Sequence, residues 1–219
     1  MRLSSKRIVG ILGGTFNPIH FGHLRMAQEL AEALNLDEVR FIPSANPPHK
    51  PAPSVTAQHR AEMIKIAISD NPLFTFDDRE MLREGASYTI DTLIALRETL
   101  GQTTSICLLL GSDAFMQLNT WHRWQELLNY CHIILVQRPN NAANQLRLAE
   151  ELSLVLQSHY TESVEDLTEN NAGFIHMQKI TALDISSTAI RAQFKQGTVP
   201  HYLMPERVIG YIKQHHLYE

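Results

Sequence analysis

Hydrophobic and polar positions divide the chain into two kinds of segment. Short, nearly continuous apolar runs occur at 7–12 (RIVGIL), 38–43 (EVRFIP), 105–111 (SICLLLG) and 132–137 (HIILVQ), with weaker runs at 73–77 and 174–180. Runs of this length, closed by glycine or polar residues, read as strands, and uniform apolarity marks burial on both faces. Between them lie stretches with helical spacing. Residues 22–34 place Leu24, Ala27, Leu30, Ala31 and Leu34 on one stripe. Further helices are predicted over 57–69, 87–100 with Ser87 as N-cap, 121–130 with both tryptophans, 146–157, 186–196 and 205–215.

Strand and helix alternate along the chain, which predicts an α/β fold. The expected form is a doubly wound, Rossmann-like parallel sheet with helices on both faces. No internal repeat or low-complexity linker is visible, so residues 1–219 read as a single domain. Residues 44–55 contain four prolines and are read as a long loop, a length that favours function. Residues 139–145 are Asn-rich loop, and 161–172 are acidic, polar and expected to be mobile. Ligands of such sheets bind beyond the C-terminal strand ends. The loops after residues 12, 43, 111 and 137 should therefore converge.

Composition narrows the class. With 219 residues and 44% hydrophobic content, the chain can bury roughly 70–75% of its unfolded surface without a disulfide or metal staple. A net charge of -4 and 19% charged residues argue against disorder and against a dedicated nucleic-acid binder. Cys107 and Cys131 lie in apolar runs and read as buried thiols of a reducing compartment. No apolar run approaches the ~18 residues of a membrane helix, and the N-terminal apolar stretch lacks a signal-peptide core. The expectation is a cytoplasmic protein without membrane or nucleic-acid partners.

The first strand leads into Gly13-Gly14-Thr15-Phe16-Asn17-Pro18-Ile19-His20-Phe21-Gly22-His23. This fits neither the dinucleotide fingerprint nor the Walker pattern. It still has what phosphate binding needs: glycines that let amides approach an anion, and a helix N-terminus directly after. His20 and His23 straddle that helix start. Taken alone, an H-x-x-H pair is more often an ordinary structural pair. A zinc site would need a third ligand, and neither cysteine lies nearby in sequence. Phosphate donation by imidazole N–H is the reading that the Gly-Gly turn favours.

GGTFNPIHFGHL resembles the first signature of the nucleotidylyltransferase superfamily, (T/H)-x-G-H. Ile185-Ser186-Ser187-Thr188-Ala189-Ile190-Arg191 resembles its second, I-S-S-T-x-I-R. With the Pro-Pro-His-Lys loop, the two resemble the bacterial nicotinate-nucleotide adenylyltransferase family along nearly the whole chain. The resemblance implies transfer of the AMP moiety of ATP to nicotinate mononucleotide, giving nicotinate adenine dinucleotide and pyrophosphate. Such transfers need in-line positioning and charge neutralisation more than covalent chemistry.

The resemblance also implies roles. His20 and His23 would donate to ATP phosphates and to charge developing at the α-phosphorus. Lys50, with His49 a weaker candidate, would reach the phosphates from the proline loop. Arg191 would grip the β- and γ-phosphates beside Ser186 and Ser187 at a second helix start. Taken alone, Lys50 and Arg191 are surface charges and the serines a plain N-cap. The first-strand loop (Gly13, Gly14, Thr15, Phe16), Gly111, Asp113 and Ile185 would complete the ATP site, with Asp113 on the ribose hydroxyls. Mg²⁺ is expected with ATP, held by phosphates and water, with no protein metal ligand assigned.

For nicotinate mononucleotide, Trp121 would stack on the pyridine, whereas Trp124 is expected to be structural. Backbone amides near Thr89 and Trp121-His122 would hold the ring carboxylate, assisted by the Thr89 hydroxyl. His122 stands where relatives often carry Tyr, so only its backbone is implied. Asn46 is a weaker contact, and Arg138 would bind the mononucleotide phosphate. Two sister activities compete, on nicotinamide mononucleotide or on pantetheine phosphate. A non-catalytic nucleotide-binding module is a third reading, since fold does not fix function.

Overall fold

The structure is a computed structural model that describes residues 6–47, 53–137, 148–181 and 183–219. Seven strands form one sheet: β1 (Ile8–Gly14), β2 (Glu38–Pro43), β3 (Phe74–Phe76), β4 (Ser105–Gly111), β5 (His132–Gln137), β6 (Tyr160–Thr161) and β7 (Ile175–Lys179). Their order is β3-β2-β1-β4-β5-β7-β6, and every neighbouring pair is parallel. The helices are α1 (Phe21–Ala33), α2 (Ala57–Ile68), α3 (Arg79–Leu82), α4 (Thr89–Leu100), α5 (Ser112–Met116), α6 (Glu150–His159), α7 (Val164–Glu169), α8 (Ser187–Lys195) and α9 (Glu206–Gln214). This is the doubly wound, Rossmann-like α/β arrangement that the alternation predicts. Among the described residues, no helix is long and apolar enough to cross a membrane.

The uniform strands divide their side chains between two cores. In β4, Cys107 and Leu109 pack with Ala27, Leu30, Met63, Ile190 and Val208, on the side of α1, α2, α8 and α9. Ile106, Leu108 and Leu110 pack with Leu93, Leu96, Phe115 and Leu152, on the side of α4, α5 and α6. Side chains alternate across a strand, so a strand covered on both sides must be apolar at every position. Both cysteines are buried and free, as expected for structural thiols. Burial pushes the Cys107 thiol up to about 12.

Three expectations change. The segment 121–130 is not one helix. Leu118–Thr120 and Trp124–Asn129 are separate 3₁₀ turns, with Trp121 between them. Arg123, in the left-handed region at φ 51°, breaks the run. Ser87 does not cap α4, whose N-cap position is Tyr88. Its hydroxyl instead accepts from the amides of Ala45 and Asn46 at 3.1 and 3.2 Å, tying down the start of the proline loop. The acidic segment 161–172 takes in the end of β6 and the whole of α7. Ser163 caps α7, and Leu167 is 1% exposed against the core, so one apolar anchor overrides the polar surroundings.

A buried cation also knits the sheet end together. Arg97 donates to the carbonyls of Gly101, Thr104, Tyr130 and Asn171 at 2.5–3.1 Å. The loop expected at 139–145 lies outside the described residues.

Candidate active site

The loops after β1, β2 and β4 converge as expected; the loop after 137 lies outside the described residues. They line a cleft of about 500 Å³ at the C-terminal strand ends. Gly13, Gly14, Thr15 and His23 form one part of its wall, and Gly111 and Asp113 another. Thr89, Trp121 and His122 line the cleft beside Ser87 and Tyr88. Asp113 is exposed in the first turn of α5. Trp121 and Trp124 are both half-buried and pack on the same core, but Trp121 lines the cleft and Trp124 does not. The His122 ring lies 4.4 Å from that of Tyr88.

The histidine pair is built by the helix start. His20 occupies the N-cap of α1, and its backbone N–H donates to His23 Nδ1 at 3.3 Å. An Nδ1 that accepts places the proton of a neutral imidazole on Nε2. The two rings stack at 3.8 Å, and Phe16 meets His23 edge-on at 5.1 Å. His20 is 5% exposed, does not line the cleft, and its buried Nδ1 has no hydrogen-bond partner. Burial lowers its pKa to about 4, so it is a neutral ring near pH 7. Gly22 makes this packing possible, because a Cβ there would lie 3.0 Å from His20 Cε1 and Nδ1. Phe16 adopts φ 47° and tucks beneath Gly14, where a Cβ would meet its ring at 3.2 Å.

The second motif is fastened to the first. Ser187 Oγ donates to the Pro18 carbonyl at 2.9 Å, and Arg191 Nη1 donates to the Asn17 carbonyl at 2.8 Å. Ser186 caps α8 by accepting from the Ala189 amide at 3.2 Å. Ile185 extends this approach, its carbonyl 3.6 Å from where a Gly22 Cβ would sit. These residues stand beside the α1 start rather than in the cleft wall. Tyr218 also reaches this loop, its hydroxyl donating to Asn17 Oδ1 at 2.6 Å.

Asn46 is exposed outside the main cleft and donates to the Gly85 carbonyl at 3.0 Å. Lys50, His49 and Arg138 lie outside the described residues. Two charged residues went unread in the sequence. Arg60, 1% exposed, donates to the Thr15 carbonyl at 2.6 Å and the Ala45 carbonyl at 3.3 Å, joining the first-motif loop to the proline loop. Glu80, 7% exposed, lines the cleft. Neither belongs to a linear motif, and helical spacing alone could only mark Arg60 as facing inward.

The geometry offers an anion site at two helix starts, an exposed carboxylate at a strand end, and an aromatic wall. A cytidylyltransferase-like family model matches residues 11–193. The sequence is 42% identical to a protein of Hydrogenovibrio crunogenus named probable nicotinate-nucleotide adenylyltransferase, over 99% of this chain and 100% of that one. A protein of the same name from Pseudomonas entomophila is 43% identical, over 97% and 95%. Among solved structures, Plasmodium falciparum nicotinic acid mononucleotide adenylyltransferase superposes with a TM-score of 0.71 in complex with NaAD and 0.70 with APC. Those alignments cover 97% of both chains at 18% and 17% identity, and they speak to the fold.

Proposed function

The chain belongs to the cytidylyltransferase-like family, and from that premise we propose that it transfers the adenylyl group of ATP to nicotinate mononucleotide. The observation that carries the reading is the fastening of Ser187 and Arg191 onto the Asn17-Pro18 backbone, which brings the α8 start against the α1 start, whose His23 lines an aromatic-walled cleft. The full-length similarity to nicotinate-nucleotide adenylyltransferases supports the same substrates.

In this reading an acceptor phosphate oxygen attacks the ATP α-phosphorus, a new P–O bond forms, and the bond to the β-phosphate oxygen breaks. Pyrophosphate leaves with the electron pair. The nucleophile is already an anion, so no general base is needed. His23 donates through Nε2–H to the α-phosphate oxygens, where charge develops. Neutral His20 orders His23 by stacking and contributes no charge. Arg191 and Lys50 neutralise the β- and γ-phosphates, and Ser186 and Ser187 contribute hydroxyl and amide donors at the α8 start. The first-strand loop, Gly111 and Ile185 hold adenosine, with Asp113 on the ribose. Trp121 stacks on pyridine, Thr89 and the His122 backbone receive its carboxylate, Asn46 is a peripheral contact, and Arg138 takes the acceptor phosphate.

Mg²⁺ enters as the salt of ATP. The ion would be held by the ATP phosphates and water rather than by a protein cage. The chain is read as one domain, and two buried reduced thiols suit a cytoplasmic site of action.

Pyrophosphate release with Mg-ATP tests the reading. Fast release is expected with nicotinate mononucleotide and little with nicotinamide mononucleotide or phosphopantetheine. A preference for either of the others reassigns the acceptor. Thermal stabilisation by ATP without release with any of them would make the protein a nucleotide binder.

A further inference from the structure

A buried cation stands behind the first-motif loop with no partner of opposite sign. Arg60 is 1% exposed, and a guanidinium keeps its proton even when buried. Its Nη1 and Nη2 donate to the Thr15 and Ala45 carbonyls at 2.6 and 3.3 Å, and its Nε is buried without a partner. Among the described residues no carboxylate faces it; burial acts on it first, and its titratable neighbour is Tyr218. Burial raises the pKa of the Tyr218 hydroxyl, which stays neutral and supplies no counter-charge. Burying a charge without an opposite one is costly. A neutral amide side chain could make two such hydrogen bonds without that cost.

A second cation acts on the same turn. Arg191 Nη1 donates to the Asn17 carbonyl and Nη2 to the Thr188 hydroxyl, at 2.8 and 3.3 Å, again not to an acid. Between the two anchored carbonyls Phe16 is held at φ 47°, a left-handed backbone that bulky residues rarely adopt. The trans Thr15–Phe16 peptide sends its N–H the opposite way from its carbonyl, away from Arg60. Among the described residues that N–H has no hydrogen-bond acceptor. Thr15 itself lines the cleft. A cation pulling on the rear carbonyl polarises the peptide and strengthens its N–H as a donor.

We propose that Arg60 is a positioning residue whose charge answers the ATP phosphates from behind the first-motif loop, through the Thr15–Phe16 peptide and without touching them. This deepens the adenylyl-transfer reading and rests on it. The free protein carries a positive potential at the turn that no acid cancels, and a polyphosphate is the ligand chemistry that cancels it. Across one peptide and its two hydrogen bonds, roughly 8 Å, one pair of unit charges at an effective dielectric of about 20 is worth about 30-fold in affinity.

Titration with inorganic pyrophosphate and with adenosine separates the phosphate site from the nucleoside site. Arg60→Gln, which keeps a carbonyl donor but no charge, should weaken pyrophosphate binding at least about tenfold and leave adenosine binding nearly unchanged. Arg60→Lys, which keeps the charge, should restore most of the pyrophosphate affinity at neutral pH. A merely structural role would impair both variants alike and both ligands alike. Lysine, unlike arginine, loses its proton readily when buried. The pyrophosphate affinity of Arg60→Lys relative to wild type should therefore fall as pH rises from about 7 to about 10, the titration of pyrophosphate itself cancelling in the ratio. That measurement decides alone if Arg60→Gln does not fold. Equal pyrophosphate affinity of wild type and Arg60→Gln, equal impairment of the two variants, a flat ratio for Arg60→Lys, or loss of folding in that variant overturns the proposal. Failure of the wild type to bind ATP or pyrophosphate overturns the parent reading and this one together, whereas wild-type binding that Arg60→Gln matches removes Arg60 alone.

Discussion

Replacing His23 by Ala removes the imidazole whose Nδ1 accepts the His20 amide. The proposed role predicts a fall in turnover of about 10²- to 10³-fold, the usual result of losing one donor at developing charge. The fold should lose only about 1 kcal/mol, the worth of one local hydrogen bond. Steady-state pyrophosphate release and thermal unfolding check the two halves separately. Trp121→Ala should raise the KM for nicotinate mononucleotide about tenfold, from ~1–3 kcal/mol of lost stacking, and raise the KM for ATP much less. Equal effects on both would remove Trp121 from the pyridine site. At this scale the two motifs were visible in the sequence, but not that His20 is buried behind His23, nor that Ser187 spends its hydroxyl on the Pro18 carbonyl. Arg60 and Arg97 were not legible, because they act on carbonyls as far as 45 and 74 positions away.

The α1 start shows why one small residue governs an element. Gly22→Ala would bring a helix propensity gain of about 1 kcal/mol. Against it stands overpacking on the buried His20 ring, typically about 1–3 kcal/mol. The net change in unfolding midpoint should therefore be small. Activity should nevertheless fall at least about tenfold, because the ring that must move is the one stacked on His23. Kinetics and melting measured on the same preparation decide this, and full activity would show that the histidine stack tolerates displacement.

Among elements, the strands of the sheet centre were legible because two-sided burial forces continuous apolar runs. The two turns around Trp121 were misread because one left-handed residue, Arg123, outweighs ten residues of helical spacing. The helix over Val164–Glu169 was misread because its only buried anchor is Leu167.

Across the whole molecule, two buried histidines make stability depend on acid. His20 and His132 are each lowered by burial to about 4. His132 Nδ1 accepts from the Phe174 amide at 3.1 Å, and Nε2 faces the Asn170 carbonyl at 3.3 Å, an arrangement that requires a neutral ring. Both rings are neutral in the fold and take up a proton on unfolding between pH 6.5 and about 4. Their stabilisation is therefore complete above pH 6.5 and declines as pH falls toward 4, by roughly 3 kcal/mol for each ring. Denaturant unfolding at stepped pH should show this slope, and His132→Gln should reduce it. A slope unchanged in that variant would place the acid sensitivity elsewhere. Parallel pairing could be expected from the sequence, but the exchange of β6 and β7 at the sheet edge could not, since two-residue β6 carries almost no pattern of its own.

The contact between Tyr218 and Asn17 spans 201 positions. On a ribosome adding about 5–20 residues per second, the motif loop waits roughly 10 to 40 s for that partner to be made. The Gly-Gly turn and the histidine pair are translated long before the residue that braces them. A nascent chain can therefore hold a folded sheet centre well before its first-motif loop is fully braced. Each new molecule passes through an interval in which it has acquired shape but not yet chemistry.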